Sequence, residues 1–458
     1  HSIGLKALVL YGTEEQRKRW LPSLTKGDVI AAFSLTEPNA GSDASGIETR
    51  ATYDPVKNVY RLKGQKQWTT NGSLAGVLTV MAQTQVETPK GLQDKITAFL
   101  VTPDMPGFKI KDRALDKVGM RGTATANLIF DDVEVPVANI LGPKGSGLKV
   151  CLTILDYGRT TFGATCAGPA RLLLDRAISH AKTRYQFKRP LASFPLVKRK
   201  LALMSALTYA MEATTELTAG LVDRGMEEFM LESAILKVFN SEALWQIIYE
   251  TMQIFGGRSF FTDQPFERMM RDARLNMIGE GSNEVLRAFI AAVGLRDVGM
   301  QFQNVSEALK HPFSQFGILK TFSKQGASYL RAPTIPVHTA YLAKEAHLIS
   351  RAIRRFAIAN ARVLAKYREG IIENQMVLDR VASMAIALYT SIAVISKLDT
   401  QLSVTKNPNE QLLQDLSSGR IYCQYALDII EQSLATLIHN YDKSLEELSD
   451  QLTGLHNI

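Results

Sequence analysis

The spacing of apolar residues changes along the chain and predicts helical segments on both sides of a β-rich segment. Residues 1–26 follow a helical spacing, with Thr13-Glu14-Glu15-Gln16 in the form of a capping box and Gly27 placed to end the helix. Between residues 29 and 137 the spacing is close to two, and turn formers such as Asn71-Gly72 separate the apolar runs. This segment predicts a β-domain, either a barrel or a sandwich.

Beyond Gly147 the apolar spacing is helical again. The predicted helices cover residues 148–166, 168–184, 195–224, 227–254, 283–297, 337–367, 371–398 and 409–440. Short loops between most of them favour an antiparallel bundle. Residues 303–335 have scattered prolines and glycines and predict a linker. The uncharged stretch 381–396 falls short of the roughly 20 apolar residues of a membrane-spanning helix and predicts a buried helix.

Together these patterns predict an α+β fold in five consecutive segments. The segments are a helical remnant at 1–27, a β-domain at 28–146, a helical bundle at 147–299, a linker at 300–336 and an additional helical domain at 337–458. The 458 residues are 46% hydrophobic and 21% charged, a balance typical of globular proteins with enough apolar material for such cores.

Charge and cysteine content narrow the class of partner and the compartment. The net charge of +8 and the pI of about 9.2 suit an acidic partner, which is nucleic acid, anionic lipid or a phosphate-bearing ligand such as coenzyme A. The sequence has no basic stripe interleaved with aromatic residues, so no nucleic-acid partner is expected. Three cysteines do not make a disulfide framework for a chain of this size, which favours a reducing compartment.

Two stretches in the β-rich segment have residues suited to a planar polar ligand. Residues 33–43 leave an apolar strand and enter a loop with hydroxyl side chains and small residues, where Gly41 allows close approach of a ligand. The alternative for this stretch is a capped turn. In residues 66–72 the Asn71-Gly72 hairpin signal places Trp68 and Thr70 on one face near a strand end. The alternative there is a core tryptophan.

Two further stretches lie in the helical region. Arg184, at a predicted helix end, has the planar fork that binds pyrophosphate, although cations at a helix C-terminus are favoured in any case. Gln253-Ile254-Phe255-Gly256-Gly257 is followed by Glu280, which lies between two glycines and before a helix that Ser282 or Asn283 can cap. A carboxylate between glycines is sterically open to a substrate carbon. The alternative for Glu280 is a surface loop acid.

These four stretches, in this order and at these spacings, resemble the acyl-CoA dehydrogenase family. The resemblance runs over residues 1–299, and the helical region from 337 onward is similar to the additional C-terminal domain of the very-long-chain branch. It implies a middle β-barrel or sandwich domain between helical segments, an antiparallel helix bundle, and an extra helical domain. It also implies FAD as the cofactor and no metal.

The resemblance implies roles for individual residues. Those expected to bind FAD are Phe33, Leu35, Thr36, Gly41, Ser42, Trp68, Thr70, Ser282 and Glu284 in one subunit, and Arg184, Phe187, Gln253, Gly256 and Gly257 toward the FAD of the neighbouring subunit. Those expected beside the acyl-CoA substrate are Ser42, Asp156, Tyr157, Arg159 and Gly281. A homodimer or higher homo-oligomer follows from the shared cofactor.

Glu280 is the expected catalytic base. Some branches of the family place the glutamate on an earlier helix, at the position that matches Gly158, and glycine cannot act as a base. The implied reaction is the first step of β-oxidation. Glu280 removes the α-proton of a long or very-long-chain fatty acyl-CoA, FAD accepts the β-hydride, and the product is a trans-2-enoyl-CoA. Gly279 stands where a bulky residue is common, which predicts a wider acyl pocket.

The implied electron acceptor is an electron-transfer flavoprotein, and the implied location is the mitochondrial matrix or inner-membrane surface in a eukaryote, or the cytoplasm in a bacterium. Two other readings stay open, an acyl-CoA oxidase and an assembly or scaffold protein on the same fold. Basic and aromatic residues in 310–331 suit contact with a membrane surface, with a solvated linker as the alternative. Because the family has a helical domain of roughly 100 residues before this point, the natural protein is expected to be longer.

Overall fold

The computed structural model describes residues 1–310 and 331–454, and its contacts divide the chain into two compact units. Unit 1 contains His1–Phe162 and Arg268–Ser282, and unit 2 contains Gly163–Glu267 and Asn283–Ile458. Unit 1 combines short helices with a β-sheet, whereas the described residues of unit 2 are helical apart from one two-stranded ribbon and the connecting loops. The predicted α+β class is confirmed.

Unit 1 begins with two helices, α1 (Ser2–Tyr11) and α2 (Glu14–Lys26). The predicted capping box at α2 is confirmed, because Thr13 Oγ1 accepts from the Gln16 N–H at 3.2 Å and Gln16 Oε1 accepts from the Thr13 N–H at 3.0 Å. Gly27 ends α2 in the left-handed conformation, with φ +81°, as expected. The Gln16 amide also donates to the carbonyls of Ala138 and Ile140 at 2.8 Å, which attaches α2 to the end of the β-domain.

The β-domain is one eight-stranded sheet. Its strands are β1 (Ile30–Ser34), β2 (Arg50–Asp54), β3 (Val59–Thr69), β4 (Ala75–Thr88), β5 (Gly91–Val101), β6 (Phe108–Asp112), β7 (Ala126–Pro136) and β8 (Ile140–Leu141). They lie in the order β6-β7-β3-β2-β4-β5-β8, with β1 parallel to β4. Hairpins join β2 to β3 and β4 to β5.

The hairpin predicted at Asn71-Gly72 is wrong. The two residues do form a turn, with the Gly72 N–H donating to the Thr69 carbonyl at 3.0 Å. However, this turn leads from β3, which pairs with β2 and β7, to β4, which pairs with β1, β2 and β5. Trp68 and Asn71 both have positive φ, so the extended conformation ends before the chain could fold back on β3.

Both faces of the sheet bury apolar side chains. Alternate residues of β4 divide between two clusters, with Val77 and Met81 in one and Leu78 and Val80 in the other, as expected for a period of two. The first cluster also contains residues of α1 and α2 and the start of the following helix, and the second lies against β3 and β7. Burial on both faces explains the nearly continuous apolar runs in the β-rich sequence.

The helix α3 runs without interruption from Gly147 to Thr183. The sequence predicted two helices, 148–166 and 168–184. The continuous helix contains Gly168-Pro169, and because Gly168 has no Cβ to clash with the proline ring, the restriction that proline places on the preceding residue is relaxed. Val150, Cys151 and Ile154 belong to the apolar core of unit 1, and the division between the two compact units falls inside α3.

The remaining helices are α4 (Pro195–Asp223), α5 (Met230–Phe255), α6 (Phe266–Arg274), α7 (Asn283–Lys310), α8 (Ala343–Tyr367), α9 (Gln375–Ser403), α10 (Glu410–Thr436) and α11 (Asp442–Thr453). In unit 2, α4 packs against α5, α9 and α10, so the helices beyond residue 337 share a unit with the bundle. α7 continues past the predicted end at 297, and the first residues assigned to the linker are therefore helical. Residues 311–330, which include most of the rest of the linker and most of the predicted membrane-contact stretch 310–331, lie outside the described residues.

Among the described residues, α9 is long and apolar enough to cross a membrane by length and composition alone. However, 67% of its apolar window is buried inside the protein. Its buried residues include Leu388, Val394 and Leu398, and the helix packs against α4, α7 and α10. A buried core helix, as predicted for 381–396, accounts for this composition.

Candidate functional site

The first two predicted stretches lie side by side in unit 1. The loop that follows β1 and the end of β3 are joined by the hydroxyls of Ser34 and Thr69, which are buried and 2.8 Å apart. The Gln67 N–H donates to the Thr36 carbonyl at 2.9 Å. The loop is therefore held against the strand end that carries Trp68 and Thr70.

This surface presents hydroxyl groups and one large aromatic ring. Gly41, Ser42 and Thr70 are exposed, and a Cβ added at Gly41 would meet no atom within 4 Å. Trp68 is 63% exposed, which excludes the core tryptophan considered from the sequence. Phe33 and Leu35 are half-buried and pack against the apolar cluster of α1, α2 and α3, so their side chains also support the loop.

A buried ion pair behind this loop was missed by the sequence analysis. The ammonium of Lys66 is fully buried and donates to Glu37 Oε1 at 2.6 Å and to the Leu35 carbonyl at 2.8 Å. Burial lowers the pKa of Lys66 to about 8, while the charge of Glu37 opposes this shift. The signal was available, since Lys66 shares its face of β3 with the buried Tyr60 and Leu62.

Glu280 lies in a strained turn. The chain leaves α6, passes through a 3₁₀ turn at Leu275–Met277, and reaches Glu280 with φ +57°, followed by Gly281 with φ +91°. A positive φ is uncommon for glutamate, and such outliers persist only where neighbouring groups fix them. One such group is Arg159 of α3, whose Nε donates to the Glu280 carbonyl at 3.2 Å.

Arg159 is itself held by a second buried acid. Its Nη1 donates to Asp156 Oδ1 at 3.0 Å, and the two residues are only 7% and 8% exposed. Both were expected beside the substrate. The guanidinium bonds the Glu280 carbonyl and Asp156, so Arg159 also acts on the loop of the expected base. The contact of both residues with the substrate stays a prediction. Tyr157, between them in sequence, is half-buried and has the ammonium of Lys6 at 4.9 Å from its ring centroid.

The carboxylate of Glu280 lies over Gly158. A Cβ added at Gly158 would be 2.9 Å from Glu280 Oε2 and 3.5 Å from its Cδ. The two positions considered for the base from the sequence therefore face each other in space. Glycine at 158 leaves the room that the Glu280 carboxylate occupies.

The segment that leads to Glu280 is anchored to the β-domain. Asp272 of α6 accepts from the Met120 N–H at 2.6 Å, and Arg271 donates to the Val118 carbonyl at 2.9 Å. A Cβ at Gly119 would be only 2.2 Å from the Arg271 carbonyl oxygen, so the backbones touch where glycine allows it. The sequence analysis missed this contact, because residues 118–122 and 271–272 are far apart in the chain.

The third and fourth stretches meet in unit 2. The ring of His180 stacks on Phe255 with 4.1 Å between centroids. Burial and then the charges of Arg184 and Arg258 lower the pKa of His180, the residue that stacks on Phe255. Gln253, Gly256 and Gly257 are exposed, and a Cβ at either glycine would meet no atom within 4 Å. This is an open, basic surface.

A short ribbon extends from this surface. Strands β9 (Tyr185–Gln186) and β10 (Arg189–Pro190) pair around Phe187 and Lys188, which both have positive φ as a two-residue hairpin turn requires. Phe187 is 86% exposed.

The first turn of α7 is fixed by α5. Asn283 is buried, its Oδ1 accepts from Lys237 Nζ at 2.8 Å, and its Nδ2 donates to Glu242 at 3.1 Å. The Asn283 side chain is thus bound to α5. Glu284, one of the expected flavin contacts, is exposed, and Ser282 at the end of unit 1 is half-buried.

Three family models match the chain. They are "acyl-CoA dehydrogenase, middle domain" at residues 32–133, "acyl-CoA dehydrogenase, C-terminal domain" at 145–295 and "ACAD9/ACADV, C-terminal domain" at 340–454. The chain is also similar to very long-chain specific acyl-CoA dehydrogenase, mitochondrial, of Homo sapiens, with 38% identity over 412 residues. That alignment covers 88% of this chain and 62% of the human protein, so the chain spans less than two thirds of its relative's length.

Solved structures give the same relationship. The acyl-CoA dehydrogenase complexed with FAD from Bacillus anthracis has a TM-score of 0.80 at 30% identity, covering 98% of this chain and 76% of that one. Butyryl-CoA dehydrogenase from Megasphaera elsdenii has a TM-score of 0.60 at 36% identity, covering 64% and 75%. With family models over its middle and C-terminal parts and these structural matches, the chain belongs to the acyl-CoA dehydrogenase family.

Proposed function

We propose that this chain catalyses the FAD-dependent α,β-dehydrogenation of fatty acyl-CoA, with Glu280 as the base. The observation that carries the proposal is the geometry of Glu280. Its backbone has a positive φ, a buried arginine bonds its carbonyl, and its carboxylate lies over a glycine. A surface loop acid needs none of these features, whereas a base must be fixed in position.

The residues of unit 1 fit a flavin. Thr36, Ser42 and Thr70 offer hydroxyl groups that would hydrogen-bond a planar polar ring, Gly41 leaves open space, and Trp68 offers an exposed ring face. The other expected contacts in the same subunit are Phe33, Leu35, Ser282 and Glu284. When bound, FAD supplies a two-electron acceptor for the hydride from the β-carbon. A relative of known structure is described as complexed with FAD.

The chain's own residues carry out the proton transfer. Glu280 removes the α-proton of the thioester, and its backbone N–H is proposed to donate to the substrate carbonyl oxygen, where negative charge develops. Arg159 and Asp156 hold the Glu280 loop. The residues proposed to contact the acyl-CoA are Ser42, Asp156, Tyr157, Arg159 and Gly281. The domain limits 1–27, 28–146, 147–299, 300–336 and 337–458 stay a prediction.

A second subunit is proposed to complete the cofactor site. Arg184 and the exposed Phe187, with Gln253, Gly256 and Gly257, form an open basic surface of the kind that binds a pyrophosphate-bearing partner. We propose that it holds the FAD of a neighbouring copy in a homodimer. Sedimentation of the FAD-loaded chain as a monomer would contradict this.

The substrate is proposed to be a long or very-long-chain acyl-CoA. The human relative is named for that specificity, and a side chain at Gly279 would meet its nearest atom, the Leu275 carbonyl oxygen, at an unstrained 3.6 Å. An electron-transfer flavoprotein is the proposed acceptor. The location is proposed to be mitochondrial or bacterial cytoplasmic, since relatives come from both sources.

The experiment that tests this function is anaerobic titration of the FAD-loaded chain with acyl-CoAs from short to very long. We expect palmitoyl-CoA to bleach the flavin absorbance. Bleaching followed by peroxide release in air would indicate an acyl-CoA oxidase. A chain that keeps its flavin but is reduced by no acyl-CoA would sink the catalytic proposal and leave an assembly or scaffold role.

Replacing Gly158 by Ala should slow this bleaching without unfolding the chain. The new methyl group would lie 2.9 Å from Glu280 Oε2, and a flexible carboxylate end gives way more readily than a helix backbone. A small displacement of the base costs about 10- to 100-fold in rate. The measurement is the anaerobic bleaching rate beside the melting temperature. Gly294→Ala, on a helix with open space around the added Cβ, is the control, and an unchanged rate in Gly158→Ala would refute this geometry.

A further inference from the structure

Among the described residues, the Lys66–Glu37 pair is the one salt bridge between β3 and the loop that follows β1. From β3, the Lys66 ammonium reaches the Leu35 carbonyl and Glu37 Oε1 in the loop after β1. Glu37 in turn accepts the Glu48 N–H at 2.5 Å and the Thr49 N–H at 3.1 Å, just before β2. One buried carboxylate therefore joins the beginning and the end of the loop 35–49.

The cost of this arrangement indicates a geometric role. Both groups are almost fully buried, and taking two charges out of water is so unfavourable that well-packed apolar residues are often as stable or more stable. Stability alone therefore does not require the pair. The hydrogen bonds of the pair fix one backbone carbonyl and two backbone N–H groups of the loop. Apolar side chains cannot make these bonds.

We propose that Lys66 is a positioning residue that sets the conformation of the loop 35–49 through Glu37. This inference rests on the proposed function in one respect, that the ligand of the loop is FAD. Thr36, Gly41 and Ser42, the expected flavin contacts, all lie between the two ends that Glu37 joins. Without the pair, the strands on either side of the loop remain. The loop itself loses the hydrogen bonds that hold Thr36, Gly41 and Ser42 in position.

The pair also neighbours the support of Glu280. Cys151 of α3 is buried within electrostatic range of Lys66, Arg159 and Asp156, and burial raises its thiol pKa to about 12, so it stays neutral. The ammonium that fixes the flavin loop and the guanidinium that fixes the Glu280 loop are thus placed around one neutral thiol in unit 1. A loosened loop at 35–49 is expected to leave the Arg159–Glu280 contact in place, because that contact has its own acid, Asp156.

The test compares Lys66→Met, the double variant Lys66→Met/Glu37→Leu and the control Lys63→Met, an exposed lysine on the same strand. The double variant replaces the whole pair by apolar side chains, so it avoids an unpaired buried charge and is expected to fold. Hydrogen exchange of the Glu48 and Thr49 amides measures how well the loop is ordered, and it needs no cofactor. Flavin fluorescence measures the FAD dissociation constant, which shows whether a less ordered loop binds FAD more weakly.

We expect exchange of these amides and the FAD dissociation constant both to rise about tenfold or more in the two Lys66 variants, the size of effect from losing one or two charge-assisted hydrogen bonds. The control should match the parent chain. The proposal is overturned if the double variant, with the parent's melting temperature, keeps slow exchange at Glu48 and Thr49. If the parent chain is not reduced by acyl-CoA but the exchange difference is present, the proposed function fails and the positioning role stands.

Discussion

Replacing Glu280 by Gln should leave FAD bound and abolish its bleaching by palmitoyl-CoA. The amide has the size of the carboxylate and keeps the same room over Gly158, but it cannot accept the α-proton. Loss of a positioned general base lowers the rate by about 10² to 10⁴, and the reaction in this site has no second acid at the other family position, since residue 158 is glycine. The measurement is single-turnover bleaching under anaerobic conditions, at saturating acyl-CoA.

A second substitution at Glu280 tests how far the carboxylate must reach, and a substitution of a distant acid is its control. Glu280→Asp withdraws the carboxylate by about 1.5 Å, one carbon–carbon bond, while aspartate adopts a positive φ more readily than glutamate. We expect it to bleach slowly, because position and not folding has changed. Glu227→Gln, an exposed acid in unit 2, should behave as the parent chain. Bleaching by Glu280→Gln at the parent rate would show that another group removes the proton.

Local signals predicted much of the fold. The capping box of α2 and the glycine that ends it need only residues close in sequence, and both are present as predicted. The hairpin at Asn71-Gly72 failed because a turn signal says nothing about which strands pair, and β4 pairs with β1, β2 and β5. The interruption predicted between residues 166 and 168 is absent for a related reason, since the packing of a 37-residue helix outweighs one weak position.

For the candidate site, too, the sequence predicted some residues and not others. The motif residues and Glu280 were found from their order and spacing in the chain, and the family that they indicated is the one to which the chain belongs. The groups that hold them were not found. Lys66 bonds Glu37 across 29 positions, and Arg159 bonds Glu280 across 121, so no local pattern contains either pair. A charged residue on the buried face of a strand or helix was the one available sign.

Arg159→Met should lower both stability and rate. It leaves Asp156 buried without the guanidinium and removes the donor to the Glu280 carbonyl. Removing one partner of a buried ion pair costs about 3–5 kcal/mol in the free energy of unfolding. The positive φ of Glu280 then loses the arginine hydrogen bond that helps to hold it, so the carboxylate is less well positioned and bleaching slows at temperatures where the variant is still folded.

The matched controls decide whether Arg159 acts on Glu280 or only on stability. Arg176→Met removes an exposed arginine from the same helix and should change neither quantity. Arg159→Lys keeps a charge beside Asp156, but one ammonium lacks the planar fork that serves two acceptors in fixed directions. We therefore expect Arg159→Lys to recover most of the lost melting temperature while its bleaching rate stays at least about tenfold below the parent's. If rate and stability instead recovered together, Arg159 would support only the fold, and the strained turn at Glu280 would owe its conformation to other contacts.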